Sequence, residues 1–362
     1  MDEPLRAAVI GAGTGGTLSV NALVASPLYR LVAVADGSEA ARQRVLDAHP
    51  EVATFAGHEQ LLADTDLDVV CVSTYAPTHL PIVRDAIEAG VRGLLAEKPL
   101  ADTAADGARL LELAAARDLP LVVPHGLMSI PAAQDLATRL RTGDLGRLRL
   151  VAIECTGWDV VNAGIHWLQY ALTVLGPQRI RSVLTGADTS TRTYRDGLQV
   201  ETEAVVVALV DDGTRVVLHT GDALPVGVDG ATCVLRFVGD AGMAEYVAWQ
   251  NRFTITTGDG QQVVEGAAGT VTGHRWHLER LAEQIRTGRR DTVVPDTSLA
   301  ALELVEAAYA SHRTGATVRL GDTRLGEADD GVPEPPQPWD PGRPYSGTGG
   351  GRDGRSMEGV VW

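Results

Sequence analysis

The sequence predicts an α/β domain on a parallel sheet joined to an α+β domain on a mainly antiparallel sheet, and three observations carry that reading. Apolar strands alternate with helix-compatible stretches from Leu5 to Val123, the pattern of a parallel sheet covered on both faces. The first strand runs straight into a glycine turn, Gly11-Ala12-Gly13-Thr14-Gly15-Gly16. Beyond residue 200, short apolar strands are joined by Asp212-Gly213, Asp240-Ala241-Gly242 and Gly258-Asp259-Gly260, as in antiparallel hairpins. A chain of 362 residues is too long for one core at roughly 100–200 residues per domain. The boundaries fall at 1–126, 127–325 and a polar tail over 326–362.

The first strand, Leu5 to Gly11, meets a helix over Thr17 to Ala25 through that turn. Gly11 permits the tight bend, Gly13 lets backbone amides approach a pyrophosphate, and Gly16 allows close helix-strand packing. Thr14 and Gly15 lie at the helix N-terminus, where partial positive charge favours an anion. The second strand, Tyr29 to Ala35, ends in Asp36, twenty residues past Gly16. A carboxylate there accepts both ribose hydroxyls of NAD and repels a 2′-phosphate, so NAD is favoured over NADP. Gly37 stands where a phosphate-binding arginine would, and Arg42 is the one nearby cation to weigh against this. A helix cap is the alternative for Asp36, although Ser38 can fill that role for the helix Glu39 to Ala48.

The alternation continues through strand Asp68 to Ser73, helix His79 to Ala89, strand Arg92 to Ala96, helix Thr103 to Arg117 and strand Pro120 to Val123. Ligands of such sheets sit beyond the carboxyl ends of the strands. That directs attention to Ser73-Thr74, Glu97-Lys98-Pro99 and His125.

Composition narrows the chemistry. Apolar residues make up 44% and charged residues 22%, ordinary for a folded globular chain. A net charge of −16 repels phosphate backbones and anionic lipid heads, which argues against nucleic acid and membrane partners. Met1-Asp2-Glu3-Pro4 lacks the basic and apolar regions of a signal peptide, so a cytoplasmic location is expected. Cys71, Cys155 and Cys233 are widely spaced and read as core residues, with no metal site indicated. Of the 31 basic residues only Lys98 is lysine. Arginine keeps its proton, whereas an ammonium can titrate, so a lone lysine marks chemistry that arginine cannot do.

These residues carry a family resemblance. The glycine turn, Ala76-Pro77-Thr78-His79-Leu80 and above all Ala96-Glu97-Lys98-Pro99-Leu100-Ala101 resemble the glucose-fructose oxidoreductase and inositol dehydrogenase family, Gfo/Idh/MocA, over Leu5 to about Leu320. The resemblance implies a Rossmann domain followed by a large open sheet that often mediates dimer or tetramer contacts. It implies that Lys98 is catalytic and reaches both nicotinamide ribose and substrate. Ser73, Thr74, His79 and Glu97 would then line the cofactor cleft, and Pro99 would set the turn, often through a cis bond in relatives.

In the second half, a helix over Pro131 to Arg141 and a strand over Arg149 to Cys155 lead to Asn162-Ala163-Gly164-Ile165-His166-Trp167-Leu168-Gln169. The family's segment reads D-x-G-x-H-x-x-D, so Gly164 and His166 match while Asn162 and Gln169 depart. If helical geometry already holds at Asn162, positions 162, 166 and 169 share one face. A neutral Asn162 fixes a ring tautomer but offers no charge to an imidazolium. Three readings stand: His166 positions the hydroxyl while Lys98 shuttles the proton, Asp159 supplies the missing carboxylate, or alcohol oxidation has been lost. Substrate contacts are expected from His125, Trp158, Asp159 and Gln169, with Asp222 a weaker candidate.

Strands over Glu203 to Val210, Arg215 to Thr220, Cys233 to Val238, Met243 to Trp249, Phe253 to Thr256 and Gln262 to Glu265 build the sheet, and helices near His274 to Arg286 and Ser298 to His312 complete it. The tail ends in Met357 to Trp362, apolar enough to dock, and reads equally as disordered or as an arm around a neighbouring subunit. The expected function is an NAD-dependent oxidoreductase acting on a secondary alcohol of a sugar, cyclitol or related polyol, with Lys98 as proton donor and acceptor and His166 assisting. Two alternatives remain: NAD cycled internally in an epimerase or eliminase, and a non-catalytic sensor of NAD or sugar.

Overall fold

The computed structural model describes residues 3–188, 193–195, 198–228, 230–269 and 271–320. The chain divides into two compact units. One comprises the residues up to Asp102 together with Asp106–His125 and Val271–Leu299; the other comprises Thr103–Ala105, Gly126–Thr270 and the residues from Ala300 onward. The first unit thus ends one stretch at His125 and takes 271–299 from the later part of the chain. The tail expected over 326–362 lies outside the described residues.

The first unit runs β1 (Leu5–Ile10), α1 (Thr14–Ala25), β2 (Tyr29–Ala35), α2 (Glu39–Ala48), β3 (Ala53–Phe55), α3 (His58–Asp64), β4 (Val69–Val72), α4 (His79–Glu88), β5 (Gly93–Ala96), α5 (Ala104–Ala116) and β6 (Leu121–Val122). The strands form a parallel sheet in the order β3-β2-β1-β4-β5-β6. β3 and α3 escape the sequence reading because three half-exposed residues carry no periodicity. Side chains alternate along β1. Leu5, Ala7 and Val9 join Leu23 of α1 on one face, whereas Ala8 and Ile10 join Ile82, Val83 and Leu110 on the other.

The second unit runs α6 (Pro131–Thr142), β7 (Leu148–Thr156), a π-helical turn (Val160–Gly164) continuing into α7 (Ile165–Leu175), β8 (Ile180–Asp188), β9 (Thr193–Arg195), β10 (Leu198–Val200), β11 (Glu203–Val210), β12 (Arg215–Gly221), β13 (Cys233–Gly239), β14 (Gly242–Val247), β15 (Arg252–Thr257) and β16 (Gly260–Glu265). Then come α8 (Gly273–Thr287), α9 (Val293–Thr314) and β17 (Val318–Arg319). The returning segment explains the first unit's extra part: Leu278, Leu281 and Ala282 of α8 belong to the same cluster as Leu5, Ala7 and Val9. Gly93 makes room, since a Cβ there would lie 2.7 Å from Ile285.

Nine strands of the second unit order as β16-β15-β14-β13-β7-β12-β11-β8-β17. All neighbours are antiparallel except β12 with β7, which are parallel. The core lies under α6 and α7: Tyr170 of α7 is fully buried, meets Phe237 edge-on and Tyr246 at a tilt, and donates its hydroxyl to the Ala133 carbonyl at 2.7 Å. Cys155 and Cys233 face each other across β7 and β13 as free buried thiols, and Cys71 is also free and buried. Among the described residues no helix is long and apolar enough to cross a membrane, and no cluster of potential metal ligands occurs.

Candidate active site

The glycine turn of the first unit has the geometry its sequence demands. Gly11 sits at φ +94°, and a Cβ on Gly16 would lie 1.8 Å from the Gly11 carbonyl oxygen, so neither position tolerates a side chain. Gly13 is the opposite case, because a Cβ there would meet nothing within 4 Å. α1 has no capping side chain and no acidic residue in its first turn. Its amides at Thr14 and Gly15 therefore carry no cap from the helix's own first turn, which fits a pyrophosphate.

Asp36 braces this turn. One carboxylate oxygen accepts from the Ala12 amide at 2.6 Å and the other from the Ser38 amide at 2.7 Å. The cap of α2 is Ser38, whose hydroxyl accepts from the Ala41 amide. Arg42 donates to the Asp36 carbonyl at 2.6 Å, so a cation does stand beside the acid.

β1 lies between β2 and β4, and the ladder extends past the strand ends: the Ser73 amide donates to Ile10 at 2.7 Å and the Glu97 amide to Val72 at 2.9 Å. Ser73 is buried with its hydroxyl on Ser19, and the Thr74 hydroxyl accepts from Thr78. His79 is fully buried, its ring nitrogens 3.0 Å from the Thr74 carbonyl and 3.2 Å from the Leu100 carbonyl. Burial pushes its pKa down, so the neutral ring has one proton to give, best placed toward the closer Thr74 oxygen. His79 thus ties two loops together through backbone carbonyls.

Glu97 and half-buried Lys98 stand at the end of β5, with a cis bond between Lys98 and Pro99. Glu97 is 7% exposed. Its Oε1 accepts from His274 Nε2 at 2.5 Å and its Oε2 from the Lys98 amide at 3.2 Å. A Cβ on Gly15 would lie 3.2 Å from the same carboxylate. Burial alone raises a carboxyl pKa, but the His274 ring, its hydrogen bond and the Lys98 charge outweigh it together and hold Glu97 below its ordinary value. His277, one turn along α8, donates to the His125 carbonyl at 3.0 Å. Burial pushes His277 down to about 3 and His125 well below its usual value, so both rings are neutral.

In the second unit, Asp159, Asn162, His166 and Gln169 are all buried. The turn over Val160–Gly164 is π-helical, so the regular α spacing expected to align 162 with 166 begins only at Ile165. Asp159 caps this turn, its carboxylate accepting from the Asn162 amide at 2.6 Å. Gln169 is fully buried with its amide nitrogen on the Thr173 hydroxyl at 3.0 Å. Its carboxamide nitrogen thus bonds within α7. Trp158 is half-buried, and its carbonyl accepts from Thr220.

Three features of this half escape sequence reasoning. Trp249 lies 6.3 Å from the His166 ring, centroid to centroid, and edge-on to Trp167. Its φ of +70° is rare for a bulky residue and marks local strain. Gly126 makes room for it, since a Cβ there would lie 2.5 Å from the indole. Glu201, 2% exposed, accepts from the Val160 amide and from the Tyr309 hydroxyl, both at 2.7 Å. In the first unit, the corresponding omissions are His274 and His277. Their i, i+3 spacing beside Leu278 and Leu281 was a usable signal for a buried face; Glu201 offered none.

Known proteins agree with this architecture. Residues 5–125 match the GFO_IDH_MocA family, described as an oxidoreductase family with an NAD-binding Rossmann fold. The chain is 25% identical over 319 residues to the rhizopine catabolism protein MocA of Rhizobium meliloti, covering 84% of this chain and 93% of that protein. It is 27% identical over 297 residues to the D-apiose dehydrogenase of Paraburkholderia graminis, covering 72% and 75%. An oxidoreductase from Agrobacterium radiobacter, solved with NAD+, L-tartaric acid and magnesium, shares the fold with a TM-score of 0.72 at 19% identity, over 88% of this chain and 98% of that one.

Proposed function

We propose, for a chain whose residues 5–125 belong to the Gfo/Idh/MocA oxidoreductases, that it transfers hydride between NAD and a secondary alcohol of a sugar, cyclitol or related polyol. The observation that carries this reading is the strand-end arrangement: the one lysine of the sequence adjoins a buried, ionised Glu97 whose carboxylate abuts the glycine turn at Gly15. NAD, when bound, supplies the hydride chemistry.

The protein's part is positioning and proton handling. The free amides at the start of α1 and the open backbone at Gly13 hold the pyrophosphate, and Asp36 takes the adenosine ribose, favouring NAD over NADP. The Lys98 ammonium donates to the carbinol oxygen and takes or relays its proton, while His166 assists at that hydroxyl. Asn162 brings a neutral carboxamide to the position where the family's segment carries an acid. His125, Trp158, Asp159 and Gln169 are the proposed substrate contacts. The D-apiose dehydrogenase relative supports the polyol class.

The protein is proposed to work in the cytoplasm as a homodimer or homotetramer. Register places Leu184 of β8, Val207 of β11 and Val217 of β12 in one row across the sheet, and Leu184, Val205 and Val207 are exposed. An apolar row on an open sheet favours a second copy as its cover.

Absorbance of reduced nicotinamide, followed across a panel of sugars and cyclitols with NAD and with NADP, tests the reading. Release of NADH with at least one polyol is expected. A cofactor that co-purifies and never exchanges would move the assignment to an internally cycled epimerase or eliminase. Ligand-dependent binding to a partner protein without turnover would move it to a sensor.

A further inference from the structure

Two buried carboxyl groups, 42 positions apart in the chain, meet beneath the π-helical turn. Asp159 is fully buried and Glu201 nearly so. Each satisfies one backbone donor of the same turn: Glu201 Oε1 takes the Val160 amide at 2.7 Å, and Asp159 Oδ1 takes the Asn162 amide at 2.6 Å. The remaining oxygen of Glu201 is anchored by the Tyr309 hydroxyl on α9, 108 residues further on. The start of the helix bearing Asn162 and His166 is therefore fastened to a distant part of the second unit through one side chain.

We propose that Glu201 is a positioning residue: clamped between the Val160 amide and the Tyr309 hydroxyl, it sets the π-helical turn and, through the turn, the placement of Asn162 and His166. This rests on the proposed role of His166 for its catalytic meaning, but not for its geometry. The titratable groups facing Glu201 include Asp159, from the segment ahead of the turn, and Tyr309, from α9. Burial and the Asp159 charge push Glu201 up to about 7, because two anions sharing a dry site cannot both ionise cheaply. Below that pH a proton joins the pair and the clamp holds. Above it, two negative charges oppose each other under the turn, and the turn loosens.

The test needs no substrate. Histidine-labelled protein is followed by NMR from pH 5 to 9, with the His166 ring signal assigned from His166→Asn, and thermal midpoints are taken over the same range. In the native protein the His166 signal should show an inflection near pH 7, and the midpoint should fall as pH rises through it. Glu201→Gln, which keeps an acceptor for Val160 but cannot ionise, should abolish both inflections. Tyr309→Phe, which frees one side of the clamp, should shift the His166 signal at every pH while retaining the titration. If Glu201→Gln does not fold, Tyr309→Phe alone decides: an unmoved His166 signal overturns the proposal. So does a pH 7 inflection that persists in Glu201→Gln. The polyol panel separately tests the role of His166, so loss of that reading leaves this result intact.

Discussion

Glu97 and Glu201 are both buried glutamates, one in each unit, and their surroundings drive them in opposite directions. Glu97 meets an imidazole at 2.5 Å and an amide, and is held below its ordinary pKa. Glu201 meets the Asp159 charge and is pushed up to about 7. Burial penalises both anions alike, so the sign is decided by the neighbour. The first unit thus keeps a fixed negative charge beside Lys98, whereas the second keeps a carboxyl able to titrate near neutrality. The two units also differ in material: the candidate residues of the first are held by backbone at glycines and strand ends, those of the second by buried side chains far apart in sequence.

The sharpest way to break the comparison is at Lys98. Lys98→Met should lower turnover on any active polyol by about 10²- to 10⁴-fold, the usual worth of a proton-transfer group, while NADH titration by fluorescence shows binding largely retained. A variant keeping most of its activity would remove proton handling from the first unit.

Next in size is His274→Ala, which leaves Glu97 buried without its ring and should cost about 3–5 kcal/mol in chemical denaturation. The sign with pH follows from the lowered pKa of Glu97: its stabilisation is present above the ordinary value of 4.5 and is lost as pH falls through the lowered one. Glu201 runs the other way. Its contribution is full below the ordinary 4.5 and is lost as pH rises through about 7, a swing on the order of 3 kcal/mol. Thermal midpoints of His274→Ala should therefore lose dependence on the acid side only, leaving the neutral side to Glu201. Loss of both limbs in one variant would show that the two carboxyls do not act separately.

The smallest effect is expected at Asp36. Asp36→Ala removes hydrogen bonds from a charged acceptor and should weaken NAD binding by about 1.5–3 kcal/mol. Arg42, already beside Asp36, should then narrow the gap between NAD and NADP, as read by paired fluorescence titrations. An unchanged preference would deny Asp36 its selecting role.

Legibility follows the same division. The parallel sheet was readable because buried strands and amphipathic helices differ in period, and the glycine turn because Gly11 and Gly16 answer local steric demands. The short β3 carried no pattern. In the second unit, Asn162 and His166 stand out through the family segment they resemble, but the π-helical turn does not, since its Val160 and Asn162 amides are capped by Glu201 and Asp159. Trp249 read as the end of a strand, and its strained placement beside His166 follows from the space left by Gly126.

The sequence by itself determined the two-part architecture, the dinucleotide turn and the singular lysine, because each is written in neighbouring residues whose sterics and periodicity act over one or two turns of chain. Only the tertiary structure decided which acids are charged. The partner of Glu97 lies 177 residues away and the anchor of Glu201 108 residues away, and the ionisation of a buried carboxyl is set by whatever the fold brings within a few ångströms of it.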